Sequence, residues 1–211
     1  MTRFYLTLLR SAVLTGVAAL VATPALAQTE VLATRHGVAV SASYTGATVR
    51  ASSGSEAAGV GGLALDATFG RISVGVAGAF AGERTDLAVG AGVHLVRDLA
   101  ALRTVTFGAT VQTLDLTDLW VVTPSFSASG RVVQTGGVSL VPSGTLGLAV
   151  PFDIGSSSGG LTPDVVAAAG LGLVVGQGPT RLLVRPQVAW SPTADAPAAL
   201  GVAVGLARGW Q

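Results

Sequence analysis

Chemistry in a protein needs side chains that move protons, attack electrophiles or hold metal, and this chain carries few of them. Its 211 residues include no cysteine and two histidines, His36 and His94. Lack of cysteine removes disulfide frameworks, thiolate metal sites and cysteine nucleophiles together. A histidine base must sit within hydrogen-bond reach of its partners; otherwise it is a polar residue of an interior or an interface. The carboxylates Glu56, Glu83, Asp86, Asp115, Asp118, Asp153, Asp164 and Asp195 are scattered singly, without the spacing of a calcium loop. Solvated loop charge is their plainer role. Gly90-Ala91-Gly92 and Gly170-Leu171-Gly172 lack a following helix to receive a phosphate. No metal or cofactor is therefore expected. What remains is a set of isolated polar residues, Asp66, His94, Gln112, Arg131, Arg185 and Gln187, and the question of which elements bring them to one place.

The answer lies in a two-residue repeat. In Ala198–Trp210 one row reads Leu200, Val202, Val204, Leu206, Arg208 and Trp210, and the other Ala199, Gly201, Ala203, Gly205, Ala207 and Gly209. Side chains of a strand alternate between two faces, so this is a strand with one fat face and one thin face. The same pattern predicts strands over His36–Thr45, Val60–Phe69, Ile72–Phe80, Leu87–Val96, Thr104–Thr113, Leu119–Val132, Val138–Phe152, Val165–Val175 and Arg181–Trp190. That makes ten, with eight as the alternative count, and the sixth carries the weakest pattern. The six polar residues all fall on thin faces, among Gly, Ala, Ser and Thr. They are the expected lining of a lumen, where Asp66, Arg131 and Arg185 could pair across and close it.

Composition says what the fat faces meet. Half of the chain is hydrophobic and only 11% is charged, against about 25% in an average soluble domain. The basic start Met1–Arg10, the apolar run Ser11–Ala22 and the site Ala25-Leu26-Ala27 predict a signal peptide, cleaved between Ala27 and Gln28. Residues 1–27 are thus the leader and residues 28–211 one domain. Beyond Ala27 no apolar run reaches the 18 or more residues of a spanning helix. Only helices and closed barrels satisfy every backbone group inside a bilayer. The expected fold is all-β, a closed antiparallel up-and-down transmembrane β-barrel.

Three features bear on this. All nine aromatics beyond the leader lie on fat faces. Tyr44, Phe80, Trp120, Phe152 and Trp190 fall at one set of strand ends and Phe69 and Trp210 at the other, as membrane interfaces select. The loops after odd strands are expected to be longer and acidic, those after even strands short, with Arg35, Arg71, Arg97, Arg103 and Arg181 at the short-turn end. No basic stripe suited to nucleic acid exists. Against a barrel stand Pro124, Pro142 and Pro186 within strands, each of which removes a ladder hydrogen bond. Bulges or strand ends are expected there.

On these residues, namely the leader ending Ala25-Leu26-Ala27, the repeat Val74–Phe80, the strands holding Val141-Pro142-Ser143 and Val184–Val188, and the glycine-alternating last strand, the chain resembles small bacterial outer-membrane β-barrels of the porin-like or opacity type. The resemblance implies location in the bacterial outer membrane, outer-membrane lipid as a partner, and recognition of the last strand by barrel-assembly machinery. That family's assembly signals usually end on the aromatic, whereas Gln211 follows Trp210 here. The ten-stranded outer-membrane proteases, the omptins, need Asp and His together at the extracellular rim, and both histidines here lie at the other end. The expected function is non-enzymatic: a structural or envelope-surface role, with a narrow passive pore as a variant. A soluble adhesin-like β-sandwich is the alternative, and an outer-membrane enzyme the third.

Overall fold

A computed structural model of the chain describes residues 36–51, 54–81, 84–99, 102–113, 119–130, 133–153, 163–191 and 198–210. They form β1 (His36–Ala51), β2 (Gly54–Phe69), β3 (Ile72–Ala81), β4 (Arg84–Leu99), β5 (Leu102–Thr113), β6 (Leu119–Gly130), β7 (Val133–Thr135), β8 (Val138–Asp153), β9 (Asp164–Val175), β10 (Thr180–Trp190) and β11 (Ala199–Trp210). Strands adjacent in the chain pair antiparallel, and β1 pairs β11. The short β7 continues the line of β6, since both pair β8. The eleven segments are therefore ten staves of one sheet closed on itself, as alternating strands with no free edge require in lipid.

The register measures the barrel. From Leu65 the ladder leads sideways through Val76, Val89, Val111 and Val122 to Val150 on β8. In the other direction it leads through Val40, Leu206, Leu182 and Val175 to Val138, also on β8. The circuit thus closes with a stagger of 12 residues, from Val138 to Val150. With a rise of ~3.3 Å per residue and strands ~4.8 Å apart, that stagger over ten strands tilts them by about 40° and sets a backbone radius of roughly 10 Å. Every residue on this circuit is aliphatic.

The rows face the way their chemistry demands. Val40 is 56% exposed, Leu200 67% and Leu206 58%, while Ala39, Ala203 and Ala207 between them are buried. No second layer covers the fat faces, so the two-layer sandwich is excluded. Trp190 stands opposite the position of Ala198, and Trp210 lies twelve residues further along the last strand. At this tilt the two rings are roughly 30 Å apart along the axis, close to the ~25 Å apolar band between aromatic girdles of membrane barrels. Tyr44, Phe69 and Phe80 are exposed on the same surface, Trp120 half-buried; Phe152 occupies the paired position beside Trp120, its side chain lying outside the described residues. Between the girdles Phe107 and Phe126 pair across β5 and β6, ring centroids 4.8 Å apart and tilted by 45°, a geometry worth about 0.5–1.5 kcal/mol beyond its buried area.

Several local expectations are corrected. The segment around Arg50 and Glu56, read as loop, continues the hairpin through Val49↔Glu56 to Ala51↔Gly54. The turn expected over Gly82–Asp86 narrows to residues 82–83, because Ala81 pairs Arg84. At the other end Gly136 and Gly137 alone make the β7–β8 turn, with φ of 56° and 84°, the left-handed pair of a tight hairpin; Gln134 and Thr135 belong to β7. At Pro142 the expectation holds: β6 ends opposite it, and the register against β8 shifts by one residue between Ser129↔Ser143 and Val133↔Leu140. Pro124 and Pro186 instead leave the register unchanged, each in a two-pair gap of the ladder toward β8 and β9. Further bulges fall at His94/Val96 and Leu102/Thr104.

Candidate functional site

The thin rows make the inner wall, and the candidate site is the interior they enclose. Asp66 is on β2, His94 on β4, Gln112 on β5, and Arg185 and Gln187 on β10; all five are buried. Arg131, between β6 and β7, lies outside the described residues, as do Ala27 and Gln28.

The stagger brings three of them to within about two residues of one height. Twelve residues over ten strands make the ladder climb by about 1.2 residues per strand. Asp66 is linked sideways to Ala39, Ala207 and Arg181, and three such steps move its level on β10 to Arg185. In the other direction it is linked to Gly75 and Gly90, and two steps bring the level to Gly92, with His94 the next inner position. Arg185 and His94 thus face each other across the bore, five strands apart, with Asp66 between them. Their exposures are 2%, 1% and 1%, so water reaches almost none of their side-chain surface.

Each is seated by its surroundings. His94 Nδ1 shares a 2.8 Å hydrogen bond with Thr106 Oγ1 on the facing strand position. Next to it Thr104 Oγ1 and Ser129 Oγ share another of 2.8 Å. The Arg185 side chain leans over Gly170, where a Cβ would come within 2.7 Å of Nε and 3.2 Å of the Pro186 carbonyl. Only glycine leaves that space. Ser143 Oγ donates to the same Gly170 carbonyl at 3.2 Å. One buried acid was missed in the sequence: Asp86, expected in a loop, lies on the inner wall opposite Ala79. Continuing the thin row Gly90, Ala88 one step outward would have found it.

The wall is not uniform. Inner residues of β3, β4 and β5 are buried, whereas Thr123, Ser125, Ser127, Ser143 and Thr145 on β6 and β8 keep partial exposure. Among the described residues Thr68 Oγ1, Gln187 Nε2 and Thr145 Oγ1 have no hydrogen-bond partner. His36 is not part of the interior. It lies on the lipid-facing row between Trp210 and Phe69. No group of three metal-ligating side chains occurs among the described residues.

No protein-family model matches the chain, and no curated protein matches it. Solved structures do. The translocator domain of autotransporter NalP from Neisseria meningitidis aligns over 88% of this chain and 92% of that one, with 10% identity and a TM-score of 0.51. Neisserial surface protein A aligns over 83% and 97%, at 12% identity and a TM-score of 0.42. The N-terminal β-barrel domain of Pseudomonas aeruginosa OprF aligns over 82% and 98%, at 14% and 0.36. At such identities the likeness concerns the fold, and the NalP domain carries it. Closed register, lipid-exposed aliphatic rows and this likeness agree: the chain folds as a closed ten-stranded antiparallel β-barrel of the kind that crosses a membrane with its strands.

Proposed function

We propose that the protein is a non-enzymatic structural component of the outer membrane whose lumen is closed to free diffusion. The observation that carries this is the burial of Asp66, His94 and Arg185 around one level of the bore. An interior held by side chains is the usual solution for small barrels, in contrast to the channels of 16 strands or more.

A narrow passive pore is the second reading. It is favoured by the partly accessible hydroxyls of β6 and β8 and by the unbonded Gln187 and Thr145, since buried polar atoms without protein partners are commonly satisfied by water. Planar-bilayer recording on the purified, folded barrel separates the two. Absence of conductance steps is expected; discrete steps that change with Arg185→Ala would replace the closed barrel with the pore.

A further inference from the structure

Among the described side chains of the lipid-facing rows, Arg208 is the one that carries charge. It is exposed, two residues from the end of β11, and its paired neighbours are Val38 and Thr180. Among the described residues no carboxylate side chain occupies an outward position around it. Immediately beyond it runs a row across three strands, Trp210, His36 and Phe69, set by the pairs His36↔Trp210 and His36↔Phe69. The exposed Arg71 stands in the turn next to Phe69. Buried in hydrocarbon an arginine costs several kcal/mol, about 2–4 at mid-depth, but near the interface it costs about 0–1. Arg208 lies two residues inside the aromatic girdle, so its long side chain reaches headgroup height by extending toward Trp210.

We propose that Arg208, with His36, Trp210 and Arg71 as neighbouring donors, binds the headgroup of a net-negative phospholipid in the leaflet at the terminal end of the barrel. The planar fork of arginine matches phosphate oxygens in pairs, and an interfacial tryptophan carries an indole N–H donor at the same membrane level. Binding depends on bilayer insertion and is independent of whether the lumen conducts.

The three tryptophans make the test direct. With Trp120→Phe and Trp190→Phe, Trp210 becomes the sole emitter beside the site. The protein is folded into mixed phosphatidylcholine and phosphatidylglycerol vesicles in which one lipid or the other is brominated, and quenching reports which lipid occupies the site. Phosphatidylglycerol is expected to be enriched about five-fold at low salt, the effect of one arginine near an anionic surface. Enrichment is expected to fall to about one-fold in Arg208→Gln, to persist in part in Arg208→Lys, and to fade in the parent as salt is raised. Equal enrichment in Arg208→Gln and the parent overturns the proposal, as does a salt-independent or absent preference in the parent. Quenching by neither lipid would instead sink bilayer insertion itself.

Discussion

Val204 is the most informative single position of the wall. It lies midway along β11, six residues from Trp210 and six from Ala198, which stands level with Trp190. Its side chain is exposed on the fat face, flanked by Ala42 and Val184. If that face meets acyl chains, Val204→Arg places a charge at mid-depth and destabilises the barrel by about 2–4 kcal/mol, whereas Leu200→Arg, two residues from the outer girdle, costs about 0–1. Leu200 mirrors the natural Arg208, which is two residues from the other girdle. At 1.4 kcal/mol per factor of ten, the two variants should differ by a factor of about ten or more in their unfolding constants. Denaturant titration of the barrel folded in vesicles, read by Trp fluorescence and by migration of unboiled samples in gels, measures both. Equal and small costs at the two sites would mean that the row faces water, and the depth argument would fail.

Other expectations follow from the inner wall. Gly170→Val drives a side chain into Arg185 Nε and the Pro186 carbonyl and should lower stability by about 1–3 kcal/mol; Gly144→Ala, which meets nothing nearer than 3.8 Å, should change it by less than about 0.5. Denaturation midpoints of the pair decide the matter, and equal effects would remove the seating role of Gly170. Thr106→Val deletes the partner of His94 Nδ1 and leaves a buried donor or acceptor unmet, a loss of about 1–3 kcal/mol, while Thr113→Val, whose hydroxyl bonds in an exposed setting, should lose less than about 1 in the same titration.

What the sequence made legible was periodicity. All ten staves were visible because Val, Leu and aromatic side chains alternate with Gly, Ala, Ser and Thr, and their starts at Ile72, Leu119 and Val138 coincide with the structure. The outer ends were not visible. Between Ala47 and Gly59 all residues but Val49 are small or polar, so the alternation carries little contrast, although the backbone pairs on through this stretch to Ala51↔Gly54. The bulges at Leu95 and Arg103 likewise insert one residue without changing the local composition. Proline was a sound sign of a break at Pro142, where the facing strand ends and the register shifts, but not at Pro124, where a missing N–H opens a gap in hydrogen bonding and neighbouring pairs on either side keep the register. The interior was legible as a set of residues, not as a level. Asp66, His94 and Arg185 come to within about two residues of one height only through the 12-residue stagger, a property of closure that no strand shows alone.

The measurement that bears most directly on the whole account uses the absence of native cysteine. Single cysteines placed in turn at Ala199, Leu200, Val202, Ala203, Val204, Leu206 and Ala207, spin-labelled in the vesicle-bound barrel, report collision with oxygen dissolved in the acyl chains. High accessibility at Leu200, Val202, Val204 and Leu206 and low accessibility at Ala199, Ala203 and Ala207 is the predicted result. A flat profile, or one of the opposite phase, would contradict it.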